Sequence, residues 1–338
     1  MKAVAYKKPL PISQPNVFSD IEIEKPAATG HDLLVEVKAI SVNPVDIKMR
    51  QRTSSENETW KILGHDAVGI VRAVGEQVQH FKVGDEVFYA GSNQRSGSYA
   101  EFQLVDERIV GHKPKTLSDA EAAALPLTSI TAWEMLFDRL KVQEAADLNA
   151  VILVIGAAGG VGSIAVQLLK ALTNLKVIAT ASRPESKAWL ESIGADYIID
   201  HHHPLEQQVL DLNIGLPDYI FSITGTAGYT QSIASLIAPQ GHFGLIDDPD
   251  NFVINPFKIK SVAIHWESMF TRSTFQTHDM PRQRQILNHL AELVEQGKIK
   301  TTLSENLGVI NAENIVKAHT LIETGKSIGK IVLEGFSV

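Results

Sequence analysis

The sequence predicts an α/β protein built of a small all-β barrel and a doubly wound parallel sheet. Three observations carry that expectation. Short β-like runs broken by Gly, Pro and Asp occupy residues 1 to 124, and apolar strands alternate with helices from residue 150. A glycine-rich turn, GAAGGVG at 156–162, joins the first of those strands to the first of those helices. The length of 338 residues fits about two domains at the usual size of about 100–200 residues each.

The barrel strands are LLVEVKAI (33–40), VGIVRAVG (68–75), DEVFYAG (85–91) and YAEFQLV (99–105). They alternate or run apolar and are rich in Val and Ile, as half-buried strands are. Over 118–140, SDAEAAALPLTSITAWEMLFDRL changes to a helical period, with Ser118 and Glu121 placed as a capping box. The second part then runs in regular order. Strands are expected at 150–156, 176–181, 196–200, 218–224, 242–246 and 261–266, with helices at 159–172, 184–194, 204–212 and 227–237. Continuous apolar strands alternating with helices indicate a parallel sheet covered on both faces. Two helices (281–297 and 311–325) and a strand (329–335) close the chain.

Composition narrows the function classes. A net charge of −8 gives no attraction to phosphate backbones or anionic membranes, so neither nucleic acid nor a membrane is expected as a partner. No run approaches the roughly 18 apolar residues that span a bilayer, and MKAVAYKKPLPI lacks the apolar core of a signal peptide. The absence of cysteine excludes disulfides and thiolate metal sites and fits a reducing compartment, so a cytoplasmic protein acting on a small molecule is expected.

The glycine turn sits where a dinucleotide fingerprint must sit, between a strand and a helix. Ala157, Gly159 and Gly162 read as A-x-G-x-x-G. Gly159 admits a pyrophosphate to the backbone, Gly162 lets helix and strand pack closely, and the helix N-terminus offers free N–H groups. Gly156, Ala158, Gly160 and Val161 complete the turn. An NAD site wants an acid at the end of the second strand, about 20 residues past the glycines, to hold the ribose 2′-hydroxyl. Here that strand ends in Ala181-Ser182-Arg183, with Lys187 one turn later. A hydroxyl and two cations suit a 2′-phosphate, so NADPH is the expected cofactor.

These segments, with SVNPVDIKMR (41–50), GHDAVGIVRAVGEQVQHFKVGDEVF (64–88), LPLTSITAWEML (125–136), HWESMFTRSTFQT (265–277) and IGKIVLEGF (328–336), resemble the medium-chain dehydrogenase/reductase superfamily across essentially the whole chain. The likeness is closest to its cysteine-poor, quinone-oxidoreductase-like branch. The resemblance implies a GroES-like β-barrel catalytic domain at 1–124 and 268–338, and a Rossmann domain at 125–267. It also implies a cleft between them and a homodimer formed through the edge strand at 261–266. Further cofactor contacts are expected from Asn43 and Thr131, beside the nicotinamide and its ribose, and from His201, Ile223, Thr224, Leu245, Ile246 and Lys330, with Trp60, Met269 and Phe270 lining the substrate cleft.

Zinc-using members of the family bind their metal through a Cys, the His of a GH-E motif, and a second Cys or an acid. In this chain those positions are Asn43, His65 and the threonine-rich turn at 128–131. One histidine and an amide fall short of a tetrahedral set, so no zinc is expected. The resemblance implies that Asp46 orients His65 and that Asp66 pairs with Lys330. Without a Lewis acid, the charge on the acceptor oxygen must be met by donors, and Asn43, Thr131 and Lys48 are the candidates. With Asp46 and His65 they form the expected catalytic set. Such modest stabilisation suits quinones and enones, which delocalise charge. A zinc-dependent alcohol dehydrogenase and a non-catalytic NADPH-binding regulator are the alternatives.

Overall fold

The computed structural model describes residues 1–52, 59–144 and 149–336. The chain divides into two compact units. The first comprises Met1–Ile130, Phe270–Gly297 and Thr301–Val338, and the second Thr131–Met269 and Lys298–Lys300.

Unit 1 is built on the long strand Asp32–Val42. It pairs antiparallel with Asp66–Val74, Phe102–Asp106 and Lys330–Glu334. Glu86–Tyr89, Val110–His112 and Leu303–Asn306 extend this sheet. Its inward residues, among them Leu33, Val35, Ile40, Val71, Val87, Ile331 and Leu333, form one apolar core. Ser41 lies opposite Asp66, and Val42 opposite Ile331, so this register brings out Asn43 and Lys330 side by side at the strand ends. Lys2–Ala5 and Ser19–Glu22 form a separate two-stranded ribbon.

Unit 2 is a six-stranded parallel sheet. From one edge its strands are Tyr197–Ile199, Lys176–Thr180, Val151–Ile155, Tyr219–Ser222, His242–Leu245 and Ala263–Trp266. In chain order this is 3-2-1-4-5-6, the doubly wound arrangement whose strand order reverses beside the first strand. The central strand Val151–Ile155 is buried throughout, which explains its uninterrupted apolar sequence. Ala263–Trp266, at the sheet edge, is only partly buried.

The segment 118–140 departs from the expected continuous helix. It divides into Asp119–Ala123, Pro126–Trp133 and a π-helical turn at Glu134–Arg139. Pro126 supplies no N–H and disfavours helical geometry in the residue before it. The capping box at the start of the segment is formed, with Ser118 and Glu121 bonding each other's backbone.

Unit 1 also buries a polar cluster. The Tyr99 hydroxyl lies 3.3 Å from His319 Nε2, and the His319 ring meets Phe18 edge-on at 5.0 Å. His319 is fully buried, and its Nδ1 has no hydrogen-bond partner among the described residues. Burial pushes its pKa down from the usual 6.5 to about 4. On acidification the unfolded chain therefore takes up this proton before the folded one. The contribution is complete above pH 6.5 and is lost as pH falls from 6.5 to about 4, amounting to about 3 kcal/mol. Urea unfolding between pH 7.5 and 4.5 is expected to show this loss, with a shallower pH slope in His319→Gln. An equal slope in both proteins would contradict it.

Candidate functional site

In unit 1 the site is assembled where three strands and a helix meet. Asp46 stands in the first turn of helix Pro44–Arg52, and its Oδ2 accepts the Asn43 backbone N–H at 2.8 Å. Its Oδ1 lies 2.7 Å from His65 Nδ1. Burial alone pushes the Asp46 carboxyl up; the His65 ring, then His319 and the Asn43 N–H, more than reverse this and hold it below the usual carboxylate value. The Asp46 carboxylate can accept a hydrogen bond from a proton carried on His65 Nδ1. Nε2 has no hydrogen-bond partner among the described residues. The Phe270 ring packs 4.8 Å from the imidazole. Gly64 makes this turn possible. Its φ is +103°, and a Cβ there would come within 2.4 Å of Ser98 Oγ and Tyr99 Cδ1.

Beside this dyad lies a second buried network centred on Asp66. Its carboxylate accepts Ser41 Oγ at 2.7 Å, Asn43 Nδ2 at 2.8 Å and the Leu127 N–H at 2.7 Å. The Lys330 ammonium stands 3.2 Å away. Lys330 also donates to Asn43 Oδ1 at 2.5 Å and to the Val42 carbonyl at 3.0 Å. Burial pushes the Lys330 amine below its usual value, against the opposing pull of Asp66 and Asp46. The Asp46–His65 and Asp66–Lys330 contacts expected from the sequence are thus both present.

Asn43 is placed differently from the expectation that it donates to a substrate. It is fully buried, its Nδ2 faces Asp66 Oδ2 and the Ser41 carbonyl, and its Oδ1 takes the Lys330 proton. In this arrangement its amide is committed to the protein. Lys48 is half-buried on the same helix as Asp46. Trp60 is exposed and carries Lys7 Nζ 4.5 Å above its ring.

These residues do not fit a zinc ion. Asn43 Oδ1, at the position of the first thiolate, already holds a buried ammonium, and a dication beside it meets charge repulsion. Among the described residues no group of three or more His, Asp or Glu side chains is arranged to hold a metal.

In unit 2 the glycine turn at 156–162 lies between strand Val151–Ile155 and helix Gly160–Leu172. Gly159 caps the helix without a side-chain bond, which leaves its first N–H groups open to an anion. A Cβ on Gly162 would lie 2.5 Å from the Ala157 backbone, so only glycine fits. Ala157 is buried, and Ala158, Gly160 and Val161 are partly accessible. The turn therefore fits a dinucleotide pyrophosphate. Ser182 and Arg183 come after strand Lys176–Thr180, and Lys187 lies in the first turns of helix Pro184–Ser192. Sequence reading misses Asp200, whose Oδ2 is 3.4 Å from Lys187 Nζ. It comes from the end of the neighbouring strand, and only the sheet order brings it there. His201 adjoins it; Ile223 and Thr224 come after strand Tyr219–Ser222, and Leu245 ends strand His242–Leu245 with Ile246 just after it. Thr131 and Met269 are buried within unit 2.

Comparison with known proteins places this geometry. Residues 29–115 match the alcohol dehydrogenase GroES-like domain, and residues 193–333 the zinc-binding dehydrogenase family. A zinc-type alcohol dehydrogenase-like protein of Staphylococcus aureus is 40% identical over 339 residues, covering 98% of this chain and 99% of its own. A 2-methylene-furan-3-one reductase of Solanum lycopersicum is 30% identical over 312 residues, covering 89% of this chain and 71% of its own. A solved structure from Rhizobium etli CFN 42, provisionally assigned as a zinc-dependent alcohol dehydrogenase, superposes with a TM-score of 0.97 at 56% identity, covering 100% and 99% of the two chains. The Pseudomonas syringae pv. Tomato quinone oxidoreductase gives a TM-score of 0.82 at 25% identity over 99% of both chains. Among the described residues no helix is long and apolar enough to cross a membrane. The chain belongs to the medium-chain dehydrogenase/reductase superfamily and is an oxidoreductase of that type.

Proposed function

We propose that this chain is a zinc-independent, NADPH-dependent reductase that transfers hydride to a quinone or an α,β-unsaturated carbonyl. The observation that carries this reading is the commitment of Asn43 and Asp66 to the buried Lys330 ammonium, beside which the Asp46–His65 pair keeps an Nε2 without a hydrogen-bond partner among the described residues. A site with so little charge stabilisation suits acceptors that spread the negative charge themselves. The names of two relatives, a 2-methylene-furan-3-one reductase and a quinone oxidoreductase, support that acceptor class. Ser182, Arg183 and Lys187, with no acid at the end of the second strand, support NADPH.

The bound nicotinamide supplies the hydride. Gly156, Ala157, Ala158, Gly159, Gly160, Val161 and Gly162 hold its pyrophosphate, and His201, Ile223, Thr224, Leu245 and Ile246 complete the cofactor set, while the Lys330 ammonium is taken up by Val42, Asn43 and Asp66. His65, oriented by Asp46, presents Nε2 to the substrate oxygen and delivers a proton there in its imidazolium form. Thr131 and Lys48 act as supporting donors, and Asn43 as a positioning residue that locks Asp66 to Lys330. Trp60, Met269 and Phe270 supply apolar surface for the substrate. Two copies pair through the edge strand Ala263–Trp266, whose Trp266 is 55% exposed.

A panel of quinones, enones, enals and aldehydes, with NADPH oxidation as readout, is expected to show turnover of conjugated acceptors that a chelator leaves unchanged. Stoichiometric zinc in protein purified without added metal, with activity lost on chelation, would replace this reading by a zinc-dependent alcohol dehydrogenase. Replacing His65 by Gln is expected to lower kcat about 100-fold with NADPH affinity intact; an unchanged kcat would remove His65 from the chemistry. Light scattering is expected to give the mass of a dimer, and a monomer mass would refute the edge pairing.

A further inference from the structure

We propose that Asp200, flanked by His201 and His202, is the cofactor-specificity determinant of this chain: its carboxylate competes with the 2′-phosphate of NADPH for Lys187. The inference rests on the dinucleotide reading of the glycine turn and deepens it.

The sheet brings these groups together. Strands Lys176–Thr180 and Tyr197–Ile199 run parallel with Thr180 opposite Ile199, and the Ala181 N–H bonds the Ile199 carbonyl at 2.9 Å. The residues after each strand, Ser182-Arg183 and Asp200-His201-His202, therefore leave the sheet as neighbours. Asp200 is held firmly. Its N–H and carbonyl both bond the Gln208 amide at 2.8 Å, and its Oδ1 accepts the His202 N–H at 3.0 Å. Its Oδ2 faces Lys187 Nζ at 3.4 Å, and His202 Nδ1 stands 3.6 Å from Oδ1. The His202 N–H, and after it Lys187 and the His202 ring, keeps the carboxyl below its usual value, so it is ionised when cofactor arrives. The His201 and His202 rings meet edge to face at 4.9 Å.

The charged groups facing His201 are His202, Asp200, Arg183 and Lys187; burial, the largest influence, pushes its pKa down. His203, the third histidine of the turn, faces solvent. The rim thus holds two fixed cations, one fixed anion and two imidazole rings. A 2′-phosphate carries about −1.5 to −2 charges and needs the cations. NADH carries a ribose hydroxyl instead, which a carboxylate accepts as a hydrogen bond. Asp200 thus stands where it favours NADH, arriving from the third strand where an acid on the second would otherwise serve. Asp200 cancels one of the two cations that a 2′-phosphate would use.

The test is direct binding. Dissociation constants for NADPH and NADH are measured by calorimetry at constant pH and ionic strength, on the whole chain. Asp200→Asn is expected to tighten NADPH about fivefold and leave NADH unchanged or weaker. In a Lys187→Met background the same change is expected to have little effect. An unchanged NADPH/NADH ratio in Asp200→Asn overturns the inference, as does a full effect of Asp200→Asn in the Lys187→Met background. If the unaltered protein binds NADH more tightly and Asp200→Asn reverses this, the inference stands and the NADPH reading falls. If NADPH is preferred and Asp200→Asn changes nothing, the NADPH reading stands and the inference falls.

Discussion

The buried Asp66 carboxylate sets the terms for the rest of unit 1. A buried charge is tolerated only when its lone pairs are met. Here a serine hydroxyl, an asparagine amide, a backbone N–H and a lysine ammonium meet them, drawn from three separate stretches of chain. The register between strands Asp32–Val42, Asp66–Val74 and Lys330–Glu334 brings these groups together. The break at Pro126 also gains a purpose. Starting a new helix there frees the Leu127 N–H, which the carboxylate takes. Strand pairing, helix start and side-chain charge thus depend on one another.

Around that anchor, the Asp46–His65 dyad is the part with chemistry left over. Asp46 and Asp66 lie in the same buried region yet have different roles. Asp66 is saturated by donors from its own unit. Asp46 fixes an imidazole whose second nitrogen is unclaimed among the described residues. Unit 2 shows the same division: the glycine turn leaves helix N–H groups open, while Asp247 closes the N-terminus of helix Thr226–Leu236 through the Thr226 N–H at 2.9 Å.

Much of this is readable from residue order alone. The parallel sheet announces itself because strands buried on both faces must be apolar at every position, and the pyrophosphate turn because only glycine fits at Gly162. The barrel is less legible. Ser19–Glu22 and Leu303–Asn306 are four-residue strands with exposed positions, so they carry little apolar signal. The segment 118–140 reads as one helix because its apolar period runs through Pro126, although the proline's geometry does not. The identities of Asn43, Asp46, His65 and Lys330 are visible, but which amide atom faces which partner depends on strand register. Asp200 lies hidden for a similar reason: its neighbour Lys187 is 13 residues away in the chain and adjacent only across the sheet. His319 joins Tyr99 from 220 residues away, and no local pattern marks it.

The double commitment of Asn43 bears on how such a protein changes over evolutionary time. Exchanging that residue for a cysteine would be the obvious first move toward a metal site. It would strip Asp66 of one donor and Lys330 of its shortest acceptor at once, before a second or third ligand existed to reward the change. The buried amide thus ties the stability of unit 1 to the identity of this one position, and the exchange meets resistance from the fold itself.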